Sequence, residues 1–302
     1  MDTADVRNGG AIIDDGGFAI TISQPLVHST VGGDNAVDGG LTKLDTGTLT
    51  LSAPNTYTGN TTISNGTLAL SGSGAIGNSA NIKVNAGATL DVSAVAPYDI
   101  GASQTIAGNG SVNGSMQVDG KISPGLSGIG TLTFANDLTL NGNLLFELNK
   151  SLAQSNDFVV VAGVLTNTGT GTLTVSNLGP GLAVGDTFTL FSPPLSNGNA
   201  LTIIAPAGVT FTNNLAMNGS IQVLSAPSII APNPTNITFR VNGNMLIVTW
   251  PADHLGWIAQ SNSVGLANAN FWFDIAGSES ATSLTNSINH NLANLFFRLR
   301  HP

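Results

Sequence analysis

Gly40-Leu41-Thr42-Lys43-Leu44-Asp45-Thr46-Gly47-Thr48-Leu49-Thr50-Leu51-Ser52 is the stretch from which the fold is read. Its second half, Thr48-Leu49-Thr50-Leu51, alternates hydroxyl and apolar side chains. Successive residues of a strand point to opposite faces, so such alternation marks a strand with one face buried and one wet. The phrase recurs on both sides. Ala19-Ile20-Thr21-Ile22 precedes it, and Thr67-Leu68-Ala69-Leu70, Asn81-Ile82-Lys83-Val84 and Thr89-Leu90-Asp91-Val92 follow. Thr131-Leu132-Thr133-Phe134, Thr172-Leu173-Thr174-Val175 and Ile221-Gln222-Val223-Leu224 carry the pattern onward.

Asn-Gly steps punctuate these strands at Asn65-Gly66, Asn109-Gly110, Asn113-Gly114, Asn141-Gly142 and Asn218-Gly219. The pair suits a tight hairpin. It equally lets a coil turn a corner, because both residues tolerate left-handed φ. Many very short strands at irregular spacing favour stacked coils, in which each coil buries its inward residues on its neighbours.

Composition agrees. Only 8% of the 302 residues are charged and 41% are hydrophobic, the reverse of a disordered chain. Thr, Ser, Asn and Gly supply the polarity, while strong helix formers are scarce, so the chain reads as all-β. The net charge is −9, and only Asp253, Asp274 and Glu279 of the acids lie beyond residue 226. Clustered Lys and Arg are missing, which argues against nucleic acid as a partner. There is no cysteine, so disulfides and thiolate metal sites are excluded. No apolar run reaches the ~20 residues of a membrane-spanning helix. Met1-Asp2-Thr3-Ala4-Asp5 is not a signal peptide, so an export signal is expected to have been removed if the chain is exported.

The opening phrase continues through Asn55-Thr56-Tyr57-Thr58-Gly59-Asn60-Thr61-Thr62-Ile63 and closes on Gly66-Thr67-Leu68. This resembles the autotransporter-associated β-strand repeat of bacterial passenger proteins. Asp45 departs from the pattern, where Gly or Thr is usual. The stretches Gly108–Leu132, Asp157-Phe158 and Gly185-Asp186-Thr187-Phe188 resemble later coils of such passengers. The resemblance implies a right-handed parallel β-helix (a β-solenoid), extracellular or on the cell surface of a bacterium. It implies little about activity, since one scaffold carries many functions.

Proline density rises from Ala226-Pro227 to Pro232-Asn233-Pro234, marking a linker. We therefore expect a solenoid over 1–225, a Pro-rich linker over 226–235 and a small antiparallel β-sandwich over 236–302. In the last, Ile237, Phe239 and Val241 alternate up to Asn242-Gly243, and Leu246, Val248 and Trp250 alternate away, as in a hairpin with a buried face. Thr249–Trp257 and Phe296–Leu299 make this part similar to small fibronectin-like modules.

Candidate sites are few. Asp14, Asp15, Asp34 and Asp38 sit among glycines and are candidate oxygen ligands for Ca²⁺, although Asp and Gly also serve ordinary turns. Tyr57, Tyr98, Trp257 and Trp272 are candidates for stacking on sugar rings, with a place in the core as the alternative. No catalytic residue or other cofactor is expected. The two glutamates, Glu147 and Glu279, fall in different domains, and Lys43, Lys83, Lys121 and Lys150 read as solvated turn and coil-edge residues. The expected role is structural: a subunit of a filament, sheath or surface layer, assembled head to tail with copies of itself through unpaired terminal coils. The alternative is a monomeric adhesin or glycan-binding passenger that contacts cell-surface or matrix polysaccharide, and a polysaccharide lyase or glycosidase ranks below both.

Overall fold

The computed structural model describes residues 3–227, 235–266, 269–289 and 291–301. Contacts divide the chain into two compact units, Met1–Pro227 and Ser228–Pro302. Most of the expected linker, residues 228–234, lies outside the described residues.

The first unit is a parallel β-helix. One sheet stacks nine strands, from Ala11–Asp14 to Thr202–Ile204, and a second stacks eight, from Ala19–Ile22 to Phe191–Ser192. A third face holds four, from Tyr98–Ile100 to Leu165–Asn167. Before Tyr98 the corresponding part of the coil begins with the parallel pair Ala4–Val6 and Leu26–His28, and Thr56 and Tyr57 of the next coil donate their N–H groups to the Leu26 carbonyl.

The alternation seen in the sequence becomes inward and outward faces in this frame. Leu41, Thr61, Ile82, Ile106, Ile122, Leu144 and Leu173 lie in register along the first sheet, and all are buried. Leu49, Leu68, Leu90, Val112, Phe134 and Val161 do the same along the second. Each rung therefore shields the next from water, and this shielding is why three- or four-residue strands suffice.

The Asn-Gly steps at 65–66, 109–110, 113–114 and 141–142 join strands of different sheets, so they turn corners of a coil rather than hairpins. Gly66 shows the physical reason. Its φ is +63°, and a Cβ there would collide with the Gly47 carbonyl of the previous coil.

The two ends of the solenoid differ. At the N-terminal end, Ala11–Asp14 and Ala19–Ile22 each pair with a strand on one side, and Ile12 and Phe18 are exposed. At the other end a short antiparallel sheet folds over (Thr187–Thr189, Thr210–Asn214, Ser220–Ser225), with the single helical turn Leu215–Asn218. There the N–H groups of Leu190 and Phe191 donate to the Gly219 carbonyl, and that of Leu195 donates to Leu215. Leu215, Ile221 and Val223 are buried over the last coil. Two open ends were expected; at the C-terminal end the antiparallel sheet and helical turn cover part of the last coil, while Thr202–Ile204 and Phe191–Ser192 each pair with a strand on one side, as the N-terminal strands do.

The second unit contains two antiparallel three-stranded sheets: Thr238–Asn242, Met245–Thr249 and Ser283–Ser287, and Ile258–Asn262, Phe273–Asp274 and Phe296–Arg300. Asn242-Gly243 does turn a hairpin here. Its face is not buried as expected. Val248 and Trp250 are covered, but Phe239 is 75% exposed and Val241 59%. Residues on the short first strand have no third sheet to pack under, and alternation alone cannot supply one.

Candidate ligand-binding groove

The corner between the first and second sheets varies in length from coil to coil, and this variation shapes the surface. Successive corners comprise residues 64–66, 85–88, 109–110 and 125–130. The shortest, Asn109-Gly110, lies between two longer ones, so the surface dips there. Along the adjoining sheet Thr62 and Lys83 are followed in register by the small, buried residues Ala107 and Ser123, so the Lys83 side chain has no large neighbour on that side. The result is an open groove of about 670 Å³, within the size range of small-ligand sites. Ser64, Lys83, Asn85 and Asn109 line it, with Leu126 at its rim.

The far wall is strained. Leu126 has φ +86°, a conformation that costs a non-glycine residue of order 1–3 kcal/mol. Its N–H donates to the Pro124 carbonyl (3.0 Å), closing a tight turn about Gly125, whose φ is +78°. Among the described residues, the side chains of Ser64, Lys83 and Asn85 make no hydrogen bond or ion pair with the rest of the chain.

The four acids read as Ca²⁺ candidates do not converge. Asp34 pairs with Arg7 (2.9 Å) and accepts from the Ser29 hydroxyl (2.6 Å). Asp38 accepts from the N–H groups of Gly40, Thr58 and Gly59 and pairs with His28 at 2.9 Å. Burial alone would raise the Asp38 pKa, but these bonds together carry it down to about 2. Asp14 and Asp15 do lie together, joined by Asp45, with one oxygen of each within 4.8 Å of the others. That cluster already holds an internal cation. The Lys43 ammonium lies 2.5 Å from Asp15 and donates to the carbonyls of Leu44, Asp45 and Asn65. Asp15 in turn takes the N–H groups of Gly17 and Gly47, and Lys43 chiefly holds its pKa below the ordinary carboxylate value.

Lys43 is fully buried, not a solvated edge residue as the sequence suggested. It occupies an inward position between Ile13 and Ile63 of neighbouring coils, reaching from there to the corner carbonyls. No local signal reveals this, because its partners come from residues up to 28 positions away in the chain.

Three of the four aromatic candidates are core residues. Tyr57 is 1% exposed and its hydroxyl bonds Thr61 (2.6 Å). The Tyr98 hydroxyl accepts the Ile76 N–H, and Trp257 is 5% exposed against His254 and His301. Trp272 is partly exposed, with the Arg298 guanidinium 4.3 Å from its ring centre.

Glu147 finds a carboxylate neighbour that sequence reasoning missed. Asp157, wholly buried, takes the N–H of Gly130 on one oxygen and that of Glu147 on the other, both at 2.8 Å. Burial pushes Asp157 up to about 7 and also raises Glu147. Sealed from solvent, Asp157 serves to tie coils together.

Against this geometry the comparisons with known proteins become informative. The family model described as passenger-associated-transport-repeat matches residues 41–70, the stretch that contains Lys43, Tyr57 and the Gly66 corner. The chain carries a passenger-type repeat. The adhesin BmaC autotransporter of Brucella suis biovar 1 (strain 1330) is 29% identical over 248 residues, covering 69% of this chain. The chain spans 7% of that relative's length. Together these findings support an autotransporter passenger-type protein, bacterial and extracellular or surface-exposed. Among the described residues no helix is long and apolar enough to cross a membrane.

Proposed function

We propose that this passenger-type chain is adhesive: the solenoid displays outward faces and corner loops that contact a ligand on another surface, and it performs no catalysis. The relative named as an adhesin supports the class of function. The observation that favours adhesion over polymerisation is the antiparallel sheet and helical turn folded over part of the last coil. Head-to-tail stacking needs an open edge on both terminal coils. Here three N–H groups of the last coil, those of Leu190, Phe191 and Leu195, donate to Gly219 and Leu215 of the same chain, and the turn that accepts them stands where a stacked copy would pack. The outward faces are rich in threonine, serine and asparagine hydroxyls and amides, which recognise polar surfaces at low charge.

The test is binding of the purified, fluorescently labelled chain to cell monolayers and to polysaccharide-coated surfaces. Saturable binding that unlabelled chain competes away is expected, with monomers in sedimentation velocity. Binding no greater than that of an unrelated β-solenoid, or growth into filaments under negative stain, overturns the reading.

A further inference from the structure

The groove over the 109–110 corner has a chemistry that narrows its ligand. Backbone groups contribute little to it, because most of the corner N–H groups are already spent. Asn85 donates to Ile63, Asn109 and Gly110 both donate to Val84, and Gly125 donates to Gly108. A peptide adding itself as a strand would find no donor row to pair with. Apolar pockets for peptide side chains are missing too, since Ala86 and Leu126 are the apolar residues lining the hollow.

What remains free is a set of side-chain donors. The Ser64 hydroxyl, the Asn85 amide and the Lys83 ammonium have no partner among the described residues, and Asn109 uses its oxygen on the Thr131 N–H while its NH₂ stays free. Hydroxyl and amide groups spaced along a shallow groove match the hydroxyls of a sugar chain. Lys83 adds a positive charge that has no ion-pair partner among the described residues. At the rim, Leu126 is held outward in a strained conformation, 37% exposed, where it offers an apolar surface to the ring face of a sugar.

We infer that this groove binds an acidic oligosaccharide, with Lys83 on a uronate carboxylate and with Ser64, Asn85 and Asn109 on neighbouring hydroxyls. The inference rests on the adhesive reading and deepens it. Charge-assisted hydrogen bonds are about twice as strong as neutral ones, so Lys83 carries the preference for acidic over neutral sugars.

The experiment uses the full chain and tetragalacturonate as probe, with maltotetraose and hexa-aspartate as controls, read by calorimetry and saturation-transfer NMR. Expected are binding of tetragalacturonate, affinity about tenfold lower in Lys83→Gln, and weak binding of both controls. Leu126→Gly relieves the backbone strain, so it folds, and it too is expected to weaken binding. An unchanged far-UV spectrum and urea midpoint separate lost binding from lost structure. No transfer to tetragalacturonate, equal affinity for maltotetraose or hexa-aspartate, or an unaffected Lys83→Gln variant overturns the proposal. Failure here is distinguishable from failure of the adhesive reading: if the parent and Lys83→Gln adhere equally to surfaces, the groove assignment falls while adhesion stands.

Discussion

Asp157 makes the stability of the solenoid depend on pH in an unusual direction. The carboxyl is completely buried, and desolvation raises its pKa from 3.8 to about 7 despite two backbone hydrogen bonds. A folded pKa above the unfolded one means that the native state binds the proton more tightly. The contribution to stability is then complete below about pH 4 and is lost as pH rises through about 7. At about 1.4 kcal/mol per unit, a difference of roughly three units costs about 4 kcal/mol once both states are ionised. Between pH 5 and pH 8 the loss is about 2.5 kcal/mol, equivalent to about 1 M in the urea midpoint. Glu147, also raised by burial, acts in the same sense. The assay is urea unfolding followed by circular dichroism at pH 5, 6, 7 and 8, for the parent and for Asp157→Asn. The amide keeps the shape and one acceptor but cannot titrate, so the gap between the two proteins must change with pH by roughly the stated amount. Parallel midpoints across the range, or a parent more stable at pH 8 than at pH 5 relative to the variant, would refute the burial argument.

Four further outcomes follow from the same geometry. Lys43→Met leaves the Asp15 carboxylate and three corner carbonyls without their cation. Its urea midpoint should fall at pH 7, with the deficit shrinking near pH 3 as Asp15 takes up a proton. Asp38→Asn should destabilise the chain at neutral pH. Because the folded pKa of about 2 lies below the unfolded 3.8, that deficit should vanish in urea titrations as pH falls from about 4 to about 2. Gly66→Ala meets both a positive φ and the Gly47 carbonyl, so chemical denaturation should report a loss of more than about 1 kcal/mol. Phe134→Ala opens a cavity in the second-sheet ladder and should cost about 3–5 kcal/mol, whereas Phe239→Ser, on an exposed face, should change stability by less than about 0.5 kcal/mol.

Much of the first unit was legible in the sequence, because period-two alternation is a local property. Thr48-Leu49-Thr50-Leu51 states which residues share a face, and burial of Leu49 and Leu51 follows once a neighbouring coil exists. The Asn-Gly corners are local as well, set by the φ that glycine tolerates. The hairpin at Asn242-Gly243 carries the same dipeptide, and only the parallel or antiparallel pairing of its flanks distinguishes it from a corner. The buried tyrosines were misjudged for a related reason. A ring's exposure depends on what the coils above and below leave unfilled.

The candidate sites were less legible. Asp14, Asp15, Asp34 and Asp38 look alike in the sequence, yet the fold gives them different partners: Lys43 for Asp15, Arg7 for Asp34, and His28 with three N–H groups for Asp38. The groove comes from differences in corner length between adjacent coils, a quantity that exists only once the strands are in register.

By itself, then, the sequence determined that the chain is all-β, that its strands are short and half-buried, and that Asn-Gly steps mark turns between strands. Tertiary structure decided that Lys43 points inward, that Tyr57 and Asp157 are sealed, that a turn and sheet fold over part of the C-terminal coil and that Lys83 faces a groove. The physical reason is the range of the interactions. Alternation and turn conformation act over two to four residues, whereas the burial of a charge or a ring is settled by neighbours one coil away, which for Lys43 and Asp15 are 28 residues apart in the chain.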